Sequence, residues 1–171
     1  AVDEQGAELA RAPLIVVAAA YGAAALLKAQ LQLNPVRGQV TWGVTKEGSD
    51  LPATPVNGNG HFLPCVPSSH GAIWVTGSTY VRGDTSVSLR RDEDDANLER
   101  LRTLLPATAE RLAPAFARGE VHAWAGVRCT ASDRRPLVGE LAPGLWISTA
   151  MGSRGLTFAA LCAELLAARL H

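Results

Sequence analysis

The apolar run Leu145-Trp146-Ile147-Ser148-Thr149 leads through Met151-Gly152-Ser153-Arg154-Gly155 into a helical pattern that continues to Leu170. This strand, glycine turn and helix limit what the chain can become more than any other segment. Leu156, Ala160, Leu161, Leu165 and Leu166 recur on one side of the predicted helix. Glycines at such a junction let a ligand approach the backbone closely, and the free N–H groups of the helix start favour negative charge. The alternative is a tight turn that holds no ligand. A nucleophile elbow is the rival motif, but Met151 occupies its first glycine position. Behind Ser153 the only acid and histidine are Glu164 and His171, on or just past one helix, so no triad can be assembled.

A second apolar run, Leu14-Ile15-Val16-Val17-Ala18-Ala19, follows Pro13 and predicts another buried parallel strand, with a short helix over 23–30. The middle of the chain reads differently. Val36, Gln39-Val40 and Trp42 suggest a strand, and a Gly/Pro/Asn-rich stretch from Glu47 to Gly60 reads as a loop or wide hairpin connection. Strands are expected at about His61 to Val66 and Ala72 to Ser78, in an antiparallel sheet. Asp92-Glu93-Asp94-Asp95 ahead of Leu98, Leu101, Leu104 and Leu105 describes an amphipathic helix with a solvated acidic start. Pro106 should interrupt it, with Thr108 to Leu112 resuming. Val121 to Cys129 and Leu137-Val138-Gly139 predict two further strands.

The expected class is therefore α/β with α+β character. An antiparallel sheet with a helix, over residues 35–140, is flanked by strand and helix pieces of a doubly wound domain, residues 1–34 and 141–171. With 171 residues, the chain can bury roughly 70% of its unfolded surface. Its 16 Lys and Arg balance 16 Asp and Glu, so nucleic acid could be met only by a local patch. Cys65, Cys129 and Cys162 form no CxxC pair, which excludes a zinc knuckle or disulfide framework and fits a reducing cytosol. The stretch from Pro13 to Leu27 is too short and broken to span a bilayer. The first residues carry neither an initiating Met nor a basic signal-peptide region, so the chain is expected to start within a longer protein.

Dinucleotide-binding proteins usually carry GxGxxG between a strand and a helix. Gly58-Asn59-Gly60 approaches it, but Leu63 stands at the third glycine. The four histidines show no metal-ligand spacing. Arg134-Arg135 after Asp133 reads as a solvated turn, with a phosphate contact as the alternative. Arg128 lies in the apolar strand Trp124-Ala125-Gly126-Val127-Arg128-Cys129 with no acid within three positions. It needs either a structural ion-pair partner or a ligand carboxylate, which its planar fork suits.

Three segments resemble the D-amino-acid-oxidase-type flavoproteins: Ile15 to Ala23, Gly126-Val127-Arg128, and Gly144-Leu145-Trp146 through Gly152-Ser153-Arg154-Gly155-Leu156. Pro35 to Val40, Gly77 to Asp84, Gly126 to Cys129, Asp133 to Gly139 and Gly152 to Leu156 are similar, in order, to a bifunctional tRNA-modifying branch of that family. The resemblance implies FAD-dependent removal of the carboxymethyl group from a carboxymethylaminomethyl wobble uridine, giving aminomethyluridine and glyoxylate. It implies FAD contacts at Ala18, Ala19, Ala20, Gly152, Ser153, Arg154, Gly155 and Leu156. Substrate contacts fall to Arg128, for the carboxylate, and Tyr80. It further implies tRNA as partner, a methyltransferase domain upstream, a cytoplasmic location and no metal. The alternatives are a small-molecule amine or amino-acid oxidase of the same family, or a non-catalytic piece that does not hold FAD alone.

Overall fold

The structure, a computed structural model, describes residues 1–27 and 31–170. The chain divides into two compact units, residues 1–35 with 128–171, and Val36–Val127. The second division thus lies at Val127, whereas the sequence suggests residue 140.

In chain order the strands are β1 (Ile15–Val17), β2 (Asn34–Val44), β3 (Val56–Gly58), β4 (Gly60–Ser68), β5 (Gly71–Gly77), β6 (Val81–Arg82), β7 (His122–Thr130), β8 (Leu137–Ala142) and β9 (Leu145–Thr149). The helices are α1 (Ala23–Leu26), α2 (Arg91–Leu104), α3 (Pro106–Arg118) and α4 (Gly155–Leu170). Lys28, Ala29 and Gln30 of the first predicted helix lie outside the described residues.

In the first unit β1 and β9 run parallel, with Ile15 beside Leu145 and Val17 beside Ile147. β8 joins the other side of β9 antiparallel, which explains why residues up to Ala142 group here. Ala23, Leu27 and Ile147 form the buried centre, with Val17, Leu33, Leu137 and Leu145 packed against it. The two apolar runs do pair as parallel strands, but β1 is not buried as the sequence predicts. Leu14, Ile15 and Val16 are exposed, because this edge strand has β9 on one side and no second neighbour among the described residues. Along α4 only Cys162 is buried; Leu156, Leu161 and Leu165 of the predicted apolar side face outward.

The second unit is an antiparallel sheet in the order β3-β4-β5-β2, with β6 and β7 also pairing with β2. α2 and α3 cover one face through Phe62, Trp74, Leu98, Leu101, Ala109 and Phe116. Proline decides the break between the helices. Lacking an N–H, Pro106 suits the first position of a new helix, so α3 starts there instead of at Thr108. Gly119, at φ 69°, adopts the left-handed conformation that ends it. Within the stretch expected as a loop or wide hairpin connection, Val56–Gly58 forms a short strand on β4.

Candidate functional site

Parallel pairing in this register brings the ends of β1 and β9 side by side, and both chains then turn sharply into helices. After β1 come Ala18 and Ala19, then Ala20 at φ 47°, and a 3-10 turn over Ala20–Gly22 leads into α1. After β9 comes Ala150 at φ 61°, then Gly152 at φ 60°, and a 3-10 turn over Gly152–Arg154 leads into α4. Ligands of open α/β sheets commonly bind outside such carboxyl ends.

Alanine in the left-handed region costs about 1–2 kcal/mol, so both turns need support from elsewhere. Thr149, buried at the end of β9, supplies part of it: its hydroxyl donates to the Ala20 carbonyl at 3.0 Å. The buried Cys129 thiol lies 3.7 Å from the same hydroxyl oxygen. One residue further along β7, Thr130 forms a β-bridge with Met151. A Cβ on Gly152 would stand 3.3 Å from the Thr130 methyl, so close packing as well as φ favours glycine there.

The first unit therefore brings together most of the predicted ligand-facing residues. Ala18, Ala19 and Ala20 are exposed on one turn; Ser153, Arg154 and Leu156 are exposed on the other, with Gly152 and Gly155 half-buried. Arg128, half-buried, immediately precedes the Cys129-Thr130 pair that packs against and bridges these turns. Arg154 donates to the Arg134 carbonyl at 2.8 Å, and its guanidinium lies 4.8 Å from the centre of the Phe158 ring. Tyr80 belongs to the second unit, exposed between the buried Thr79 and β6. Among the described residues, no group of three or more His, Cys, Asp or Glu side chains is placed to hold a metal ion. Among the described residues, no helix is long and apolar enough to cross a membrane.

In the second unit the acidic start of α2 is not wholly solvated as expected. Glu93 is buried and pairs with Arg37, which is itself fully buried, and accepts a hydrogen bond from the Thr79 hydroxyl. Burial, the largest single influence, pushes the Glu93 carboxyl up. The Thr79 and Arg37 hydrogen bonds, with the Arg37 and Arg90 charges, outweigh it and hold the group below its ordinary value. Beside this pair the Gln39 side chain donates to Asp94 at 2.9 Å, and Asn97 donates to the Gln39 carbonyl at 3.0 Å. The Gln39 N–H donates to Thr79 Oγ1 at 2.9 Å, fixing the backbone just before Tyr80.

Sequence reasoning missed Thr149, Cys129 and Thr130 as supports of the turns. The available signal was the Ser148-Thr149 pair of hydroxyls that closes an otherwise apolar strand shortly before a glycine turn.

Residues 1–169 match the family described as FAD dependent oxidoreductase, DAO. The tRNA 5-methylaminomethyl-2-thiouridine biosynthesis bifunctional protein MnmC of Polaromonas naphthalenivorans is 48% identical over 182 residues, covering 100% of this chain and 29% of that protein. The protein of the same name from Acidovorax sp. is 43% identical, again over 100% of the chain and 29% of the relative. The chain thus spans about 29% of the length of these relatives. Among solved structures, glycine oxidase from Geobacillus kaustophilus superposes with a TM-score of 0.68 at 22% identity, over 90% of this chain and 40% of that one. Iminodiacetate oxidase from Chelativorans sp. BNC1 gives 0.68 at 23% identity, over 97% and 44%. These two likenesses concern the fold.

Proposed function

This chain belongs to the DAO family of FAD-dependent oxidoreductases, and we propose that it forms the ring-facing and substrate-binding part of a tRNA-modifying oxidase. The substrate in this reading is the carboxymethylaminomethyl group of a wobble uridine. The observation that carries it is the meeting of the alanine turn, the glycine turn and the Arg128 end of β7 in one compact unit.

FAD is the family's cofactor, and the residues present fit its ring. Alanine, glycine and serine make up most of both turns, and the 16-residue helix α4 starts at the second. Ala18, Ala19, Ala20 and Gly152 to Leu156 hold that ring, and the α4 dipole favours negative charge beside it. When bound, FAD would supply the hydride acceptor for oxidising the carbon beside the secondary amine, and the products of the proposed reaction would be the aminomethyl group and glyoxylate.

Arg128 holds the substrate carboxylate through its planar fork, which fixes the reacting carbon relative to the turns. Tyr80, in the second unit, is assigned to substrate by the family resemblance alone. An upstream methyltransferase domain and a cytoplasmic location complete the reading. With a formal net charge of zero, tRNA is met by local contacts and not by a global field.

The test uses the polypeptide as the gene encodes it. Purified protein should carry flavin absorption, and tRNA bearing the carboxymethylaminomethyl group should release glyoxylate. Oxidation of glycine or sarcosine in place of the tRNA would select a small-molecule oxidase. Protein without flavin bands would refute the reading.

A further inference from the structure

We infer that Thr149 is the positioning residue of this site, acting through the backbone without touching a ligand; the inference rests on the functional reading above. Thr149 is 2% exposed, so it has no surface to offer a flavin or a substrate. A threonine hydroxyl carries one proton and two lone pairs. The proton is committed to the Ala20 carbonyl at 3.0 Å, which leaves the lone pairs to the Cys129 thiol at 3.7 Å. One buried oxygen thus ties three elements: the end of β9, the turn after β1 and the end of β7.

Each of the three leads directly to residues assigned to ligand. Ala20 closes the Ala18–Ala20 turn, and the Ala23 N–H also points to its carbonyl, so Thr149 adds a second donor where the helix begins. Cys129 points inward to Thr149, and alternation along a strand sends Arg128 to the opposite side. Thr149 is followed by Ala150 at φ 61° and then by the glycine turn. Both left-handed alanines, Ala20 and Ala150, stand at the two ends of this tie. Backbone conformations of this kind persist only where the surroundings over-determine them.

The test compares Thr149→Val, which keeps the shape and removes the hydroxyl, with Thr149→Ser, which keeps the hydroxyl. Both are made in the gene-encoded polypeptide. Thr149→Val should speed amide hydrogen exchange at Tyr21 to Ala23 by roughly tenfold, the scale of one lost hydrogen bond. It should also weaken FAD binding by roughly tenfold and shift the visible flavin band, and Thr149→Ser should restore all three. Thr149→Cys, a weaker donor of similar shape, should fall between them and serves if the valine variant does not fold. Unchanged exchange would show that the hydroxyl does not hold the turn, overturning the inference. Faster exchange with unaltered flavin affinity and spectrum would leave a purely structural hydrogen bond, which also overturns it. A wild-type protein without flavin would instead refute the functional reading, whatever the exchange shows.

Discussion

Replacing Glu93 by Gln removes one charge from the buried pair while nearly keeping its shape. Arg37 then remains fully buried without its hydrogen-bonded countercharge, leaving only the more distant Asp84 carboxylate to act on it, while Arg90, the other charged neighbour of Glu93, is also a cation. Removing one partner of a buried pair costs about 3–5 kcal/mol, a large share of the 5–15 kcal/mol typical of a domain. Glu93→Gln should therefore lower unfolding free energy by about 3 kcal/mol. The assay is urea denaturation followed by tryptophan fluorescence, with Trp74 reporting from the core of this unit. A second variant, Arg37→Met with Glu93→Leu, should lose less than either single change. The pair is imperfectly satisfied, because Arg37 Nε meets no acceptor among the described residues. The Glu93 carboxyl is held below its ordinary value, so its contribution is full above the unfolded pKa of about 4.3 and is lost as pH falls through the folded value. Glu93→Gln should flatten that acid limb. A loss below about 1 kcal/mol, or a double variant equal to the sum of the singles, would refute the account.

Three further changes test other parts of the molecule. Arg128→Lys keeps the charge but loses the fork, and should raise KM for the carboxylate-bearing substrate roughly 10- to 100-fold with little change in unfolding midpoint. Severe destabilisation would mark Arg128 as a structural ion-pair residue. Gly152→Ala should cost about 1–2 kcal/mol in thermal or urea unfolding, because φ is 60° and the added Cβ meets the Thr130 methyl. Leu161→Asp with Leu165→Asp, both exposed on α4, should shift urea-unfolding stability by no more than about 0.5 kcal/mol each.

Features that depend on local chemistry were legible in the sequence. Two apolar runs before small-residue turns identified β1 and β9 and their helices, and the leucine spacing behind an acidic turn identified α2. Proline marked the start of a new helix, although α3 begins at Pro106 itself. Features that depend on distant partners were not. Arg37 and Glu93 are 56 residues apart, so the acidic run looked solvated when only its sequence neighbours were counted. Hydrophobicity marked β1 as buried, but burial also needs a second neighbouring strand, and pattern alone does not supply one. Val56–Gly58 pairs antiparallel with β4 inside a stretch whose Gly, Pro and Asn content suggested a loop or a wide hairpin connection, without marking the strand itself.

In the proposed site, alanine and glycine offer a ligand almost no side-chain chemistry. Selectivity must then come from where the backbone points and from the few functional side chains around it, Arg128 foremost. Backbone direction at Ala20 and Ala150 is costly by itself, so it is set by groups that face inward: Thr149, Cys129 and the Thr130 bridge to Met151. Substitution at an exposed position such as Ser153 removes one contact at most. Substitution at buried Thr149 should loosen the Ala18–Ala20 turn and its tie to Cys129, the neighbour of Arg128. Function in this unit should consequently be more sensitive to its hidden hydroxyl than to most of the surface a ligand would touch.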